Sequence, residues 1–204
     1  FEKINRSLND VNAFQLPGGI ILTGGMAALP GIRELAEEIR LDVDKESDLV
    51  EVAQYYCNEK RGRSDLNDKI LNRFIIESQE NSSINLLAEM PIQTYWTTNY
   101  DHLLEDTLKQ HGKRTDVKIA PQTLSTTLEE SDAIVYKMHG DCLDPSTCVI
   151  TKDDYELYNE KRQLFTTALQ GDLVSKTFLF IGFSFEDPNL KYILSRIRNL
   201  LDTN

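Results

Sequence analysis

Four short apolar runs, separated by stretches of helical periodicity, constrain this chain more than any other feature. They cover 19–23, 93–97, 133–138 and 177–182, are rich in β-branched and aromatic residues, and are each bounded by Gly, Pro or polar residues. The first and last are apolar on both faces, which predicts strands inside a parallel sheet. Between the runs, apolar residues recur at helical spacing within 32–41, 47–60, 66–76, 81–89, 101–111, 153–170 and 188–201. Gly112 and Gly171 read as helix stops. Strand and helix alternate, so the expected fold is α/β, a doubly wound, mostly parallel Rossmann-like sheet with right-handed crossovers. The helical stretch from about 42 to 89 exceeds what one crossover needs. It reads as an insert after the first strand, lying over one edge of the sheet, and residues 1–204 read as one domain.

Charge and composition narrow the partners. The chain carries 22 Lys and Arg against 33 Asp and Glu, a formal charge of −11 that repels phosphate backbones, so no nucleic-acid partner is expected. No apolar run approaches a membrane span and no secretory leader opens the sequence, so the reading is a chain without membrane segments. Cys57, Cys142 and Cys148 form no CxxC pair, and their odd number suits a reducing cytoplasm better than a disulfide framework. The three histidines are too scattered in sequence to predict a metal cluster.

In sheets of this kind ligands bind beyond the carboxyl ends of the strands. After the first run comes Thr23-Gly24-Gly25-Met26, without a GxGxxG or P-loop fingerprint. Its glycines either let a phosphate approach or merely permit a turn. After the second come Thr98, Asn99 and Asp101; the amide and the carboxylate either cap the next helix or point into the ligand crevice. After the third, His139 stands between Met138 and Gly140 with Asp141 two residues on. It is either a general base near neutral pH or a histidine hydrogen-bonded at a sheet edge. His102 and His111 fall near helix ends, where water is the expected partner. After the fourth, Asp187-Pro188 is a helix start, leaving Gly182 and Ser184 to meet ribose or phosphate oxygens.

Taken in order, Thr97-Thr98-Asn99-Tyr100-Asp101, Lys137-Met138-His139-Gly140-Asp141 and Gly182-Phe183-Ser184-Phe185-Glu186-Asp187-Pro188-Asn189-Leu190 resemble the sirtuin-like NAD-hydrolase family, which includes effectors of Thoeris anti-phage defence. The similarity runs nearly without a break from about 41 to 197 and takes in residues 53–58 and 171–178. It implies cleavage of NAD at the nicotinamide–ribose bond, giving nicotinamide and ADP-ribose and depleting NAD in an infected cell. By the same resemblance Asn99 positions the ribose and the attacking water, and His139 is the catalytic base. Asp101 is the acid on the nicotinamide side, and Gly182 and Ser184 cradle the adenosine side. Gly24, Gly25, Thr98 and Phe183 complete the implied NAD contacts. The resemblance also implies NAD as substrate with no further cofactor, a cytoplasmic homo-oligomer (a tetramer in the family), and a cyclic ADP-ribose-type signal. That signal would be read by a C-terminal sensor domain which these 204 residues do not include. Protein-deacylating sirtuins hold zinc with two CxxC pairs. Cys142-x5-Cys148 cannot supply four ligands, so neither zinc nor deacylation is expected. Met26 and Ala28 stand where the family has Gly and Ser, which leaves a catalytically silent NAD- or ADP-ribose-binding module as the alternative.

Overall fold

The structure, a computed structural model, describes residues 18–22, 32–42, 48–74, 82–181, 191–195 and 198. The strands β1 (Gly18–Leu22), β2 (Thr94–Thr97), β3 (Thr115–Lys118), β4 (Ala133–Lys137) and β5 (Thr177–Ile181) form one sheet in the order β3-β4-β2-β1-β5. Every neighbouring pair is parallel. Helices α1 (Ile32–Glu38), α2 (Leu49–Glu59), α3 (Ser64–Phe74) and α4 (Ser82–Glu89) connect β1 to β2, and α5 (Leu103–Gln110) connects β2 to β3. Helices α6 (Lys152–Glu156), α7 (Tyr158–Lys161) and α8 (Gln163–Ser175) connect β4 to β5. This is the expected doubly wound α/β architecture.

Both faces of the sheet are covered, which is why apolar residues dominate four of its strands. Tyr95, Ala133, Val135, Val117, Leu179 and Ile181 pack with Leu87 of α4 and with Leu104 and Leu108 of α5. On the other face Trp96, Tyr136, Phe178 and Phe180 pack with Phe165 and Leu169 of α8 and with Ile193. Trp96 and Tyr136, register partners on β2 and β4, stack with ring centroids 4.0 Å apart. The apolar character of β5 therefore comes from helices on both of its faces, not from strands on both sides. Among the described strands it is one of the two at the sheet's edges, which corrects its placement in the sheet interior.

Other departures have local causes. Strand β3 escapes an apolar pattern because its two buried positions hold Asp116 and Lys118, an ion pair of 2.7 Å. The predicted helix at 153–170 is three helices, broken at Leu157 and Arg162. The Arg162 guanidinium donates to the carbonyls of Ile119 (2.9 Å) and Thr147 (2.7 Å), which ties its backbone to the loops rather than to a continuous helix. Gly171 does not stop α8. A mid-helix glycine costs about 1 kcal/mol, and here the next residue, Asp172, accepts from Trp96 Nε1 at 3.0 Å and pairs with Lys176 at 2.8 Å. Gly112 is a true stop. At φ +74° it occupies the left-handed region, and its N–H and that of Lys113 reach the carbonyls of Lys109 and Leu108, a Schellman closure.

The insert is smaller than predicted and sits elsewhere. Helix α4 belongs to the sheet-covering layer. Helices α1 to α3 pack through Leu35, Val52, Ala53, Tyr56, Leu66 and Ile70 against Tyr100, Cys142, Cys148 and Ile150, residues of the loops that follow β2 and β4. The insert therefore lies over the carboxyl ends of the strands, not over a sheet edge. Arg63 binds the Cys148 carbonyl and the Asp154 carboxylate, fastening it there, and Tyr100 Oη donates to the Val149 carbonyl at 2.7 Å, joining the two loops beneath it. No helix among the described residues is long and apolar enough to cross a membrane.

Candidate active site at the carboxyl ends of β2 and β4

The strand order defines a crevice. From β2 the chain leaves toward β3 on one side, and from β4 it leaves toward β5 on the other. Right-handed crossovers that run in opposite directions lie on opposite faces, so the loops after β2 and β4 part at this point, the topological switch where such sheets bind ligands. Thr97 pairs with Lys137, and Met138 N–H donates to the Thr97 carbonyl at 2.8 Å. Asn99 and His139 each follow that pair by two residues on strands about 4.8 Å apart. The register thus puts these two predicted residues at corresponding positions beyond the ends of neighbouring strands.

Their surroundings differ. Asn99 is half-buried, and its backbone N–H donates to Thr97 Oγ1 at 3.0 Å. His139 is 2% exposed, so it is a core residue as well as a strand-end residue. Its ring meets those of Tyr155 and Tyr158 edge-on, at 5.6 and 5.8 Å between centroids. The Val149 N–H donates to its carbonyl at 2.9 Å, and Gly140 turns the chain immediately after it with φ +91°. Thr98 is buried. Asp101 Oδ1 accepts the Leu103 N–H at 3.0 Å, an Asx turn one residue ahead of the helix N-cap, His102. Gly24, Gly25, Gly182, Phe183 and Ser184 lie outside the described residues, as does Asp187.

Behind the crevice lies a buried charge cluster that pattern reading missed. The fully buried Lys137 ammonium lies 3.0 Å from Glu105 Oε1 and 2.7 Å from Asp141 Oδ2, and donates to the carbonyls of Tyr100 (3.0 Å) and Asp101 (2.6 Å). The other Asp141 oxygen meets His102 Nε2 at 2.9 Å and the Leu143 N–H at 2.8 Å. His102 is therefore a partner of Asp141 rather than of water alone. The available signal was a lysine inside the otherwise apolar run 133–138, which a parallel strand tolerates only when the charge is paired.

Burial alone would raise the Asp141 carboxyl, but hydrogen bonds from His102 and Lys137 to its charged form hold it at about 2. The same bond to Asp141 raises His102 to about 10. A carboxyl held below its unfolded value stabilises the fold above about pH 4 and loses that contribution as pH falls toward 2. An imidazole held above its unfolded value contributes fully below about pH 6.5 and loses that contribution as pH rises through 10. Between those limits the pair is complete. Melting temperatures of the wild type and His102→Gln should accordingly differ most between about pH 4 and 6.5 and converge toward both extremes. A difference that is constant with pH would show that the pair does not form.

One set of metal-capable donors gathers among the described residues: His102, Asp141 and Cys142, whose ligand atoms lie within 4.8 Å of one another. Three donors fall short of the four that close a structural zinc site, and Asp141 already pairs with the Lys137 ammonium at 2.7 Å.

Residues 93–204 match the SIR2-like domain family. The chain belongs to that family. This SIR2-like chain is 48% identical to NAD(+) hydrolase ThsA of Cytobacillus dafuensis over 96% of its own length and 40% of the relative's. It is 54% identical to NAD(+) hydrolase ThsA of Bacillus cereus (strain MSX-D12) over 82% of its length and 36% of the relative's. A more distant relative, defense-associated sirtuin 2 of Bacillus subtilis, is 28% identical over 65% of the SIR2-like chain and 13% of its own. The chain thus spans about two-fifths of the length of the first two curated relatives.

Proposed function

We propose that this SIR2-like domain is an NAD glycohydrolase that cleaves the nicotinamide–ribose bond to give nicotinamide and ADP-ribose, depleting NAD in anti-phage defence. The observation that supports the reading is the register of β2 and β4, from which Asn99 and His139 each lie two residues beyond the paired Thr97 and Lys137. The identity to proteins named NAD(+) hydrolase supports it.

The chemistry suits those two side chains. Nicotinamide in NAD is already cationic, so it departs without being protonated. The barrier lies at the ribosyl carbon, which becomes oxocarbenium-like and is stabilised by prearranged dipoles and carboxylates. The Asn99 amide holds water against one face of that carbon. As the water oxygen bonds to the carbon, the glycosidic pair leaves with nicotinamide, and His139 Nδ1 or Nε2 takes the proton that the water loses, directly or relayed through a ribose hydroxyl. A base so placed contributes about 10²- to 10⁴-fold. The rings of Tyr155 and Tyr158 keep the imidazole from turning away. Gly24, Gly25, Thr98, Gly182, Phe183 and Ser184 are the assigned cradle of the dinucleotide, and Asp101 supplies negative charge at the nicotinamide side. The wider reading is a Thoeris effector acting in the cytoplasm as a homo-oligomer, with a cyclic ADP-ribose-type signal read by a further domain.

Incubation with NAD tests this directly. Equal release of nicotinamide and ADP-ribose is expected by chromatography; binding without release would instead assign a silent binding module. No metal has a role in the reading, since the sequence holds no CxxC pair to bind the zinc of deacylating sirtuins. Chelator treatment should therefore leave both the rate and the melting temperature unchanged, and a fall in either would overturn that part.

A further inference from the structure

We infer that Lys137 is a positioning residue that sets Asn99 against His139, an inference that rests on the NAD-hydrolase reading. An ammonium has three protons to give, and this one faces four acceptors: the Tyr100 and Asp101 carbonyls and the Glu105 and Asp141 carboxylates. The two carbonyls belong to the residues immediately after Asn99. The backbone of Lys137 itself precedes His139 by two positions, and Asp141 follows it by two. One buried charge therefore ties both strand-end loops to a common point, and Glu105 anchors that point to α5.

Stability alone does not account for the arrangement. Removing an ammonium from water is costly, and well-packed apolar residues in place of a buried ion pair are often no less stable. An apolar side chain, however, has nothing to offer two backbone carbonyls that turn inward beneath the crevice. The ammonium holds those carbonyls, and through them the peptide that carries the Asn99 amide. Displacement of a catalytic group by about 1 Å can cost 10²-fold in rate, so a group fixing that peptide acts on turnover without touching substrate.

The test is the pair Lys137→Met/Glu105→Gln, which removes one positive and one negative charge and leaves Asp141 with His102. It is expected to fold, to bind NAD with a KM close to wild type, and to lose about 10²-fold in kcat. Amide hydrogen exchange should quicken across 99–103 while α8 stays protected. A folded double variant with unchanged kcat overturns the inference, and so does loss of the folded state in both this variant and Lys137→Arg, since the residue would then hold the fold rather than aim the site. If the wild type itself releases no nicotinamide, the function reading fails and exchange decides alone: faster exchange at 99–103 upholds the fastening, unchanged exchange removes it.

Discussion

Asn99→Ala is expected to lose at least about 10²-fold in nicotinamide release with its melting temperature unchanged. The half-buried amide lies beyond the end of β2, and the residue's contribution to the fold is a backbone N–H to Thr97 Oγ1 that alanine retains. His139→Ala should lose turnover by a similar or larger factor, since it removes the base. The two variants part in stability. A strand-end position suggests a residue that can be truncated freely, but His139 is buried between two tyrosine rings, and its truncation leaves a cavity costing about 1–3 kcal/mol. Circular dichroism should show both variants folded, with the His139 variant melting lower. Wild-type release from folded Asn99→Ala would remove the amide from the mechanism.

Gly140→Ala is expected to be more damaging than alanine at Gly62, Gly112 or Gly171, where an added Cβ meets nothing within 4 Å. Residue 140 has φ +91°, and a Cβ built there would sit 2.3 Å from the Thr147 carbonyl oxygen and 2.4 Å from its carbon. Both are backbone atoms, so no side-chain rotation relieves the contact. Forcing an L residue into the left-handed region costs about 1–2 kcal/mol, and overpacking about 1–3 kcal/mol more. The relief available is to push apart the strands of the 139–149 loop, where the Asp141 N–H donates to Thr147 Oγ1 and the Val149 N–H to the His139 carbonyl. Urea unfolding should therefore report a loss of about 2–5 kcal/mol, and NAD turnover should fall with it. A change within about 0.5 kcal/mol would mean that the loop yields freely.

The two loops that matter most were legible in the chain because they follow strands whose apolar pattern is strong. Asn99 and His139 stand two residues past the ends of β2 and β4, and a parallel sheet sends such positions to its carboxyl end. The alternatives at Asp101 and His102 were not legible. Both are polar residues at a helix start, and capping, ligand contact and ion pairing place the same demands on local sequence. Distances to Leu103 and Asp141 separate them. Strand β3 was hidden for a related reason, because an Asp116–Lys118 pair meets the need for burial without apolar residues.

Alternating apolar runs and helical periodicity, by themselves, determined the doubly wound sheet and the strand ends at which its ligand chemistry must lie, since side-chain burial is a local requirement written residue by residue. Strand order was decided only by the tertiary structure. With it came the seat of the insert over the crevice and the meeting of Lys137 with Glu105, Asp141 and two carbonyls 36 and 37 positions away. A buried charge is tolerable only where partners from distant segments converge, and no local pattern records that convergence.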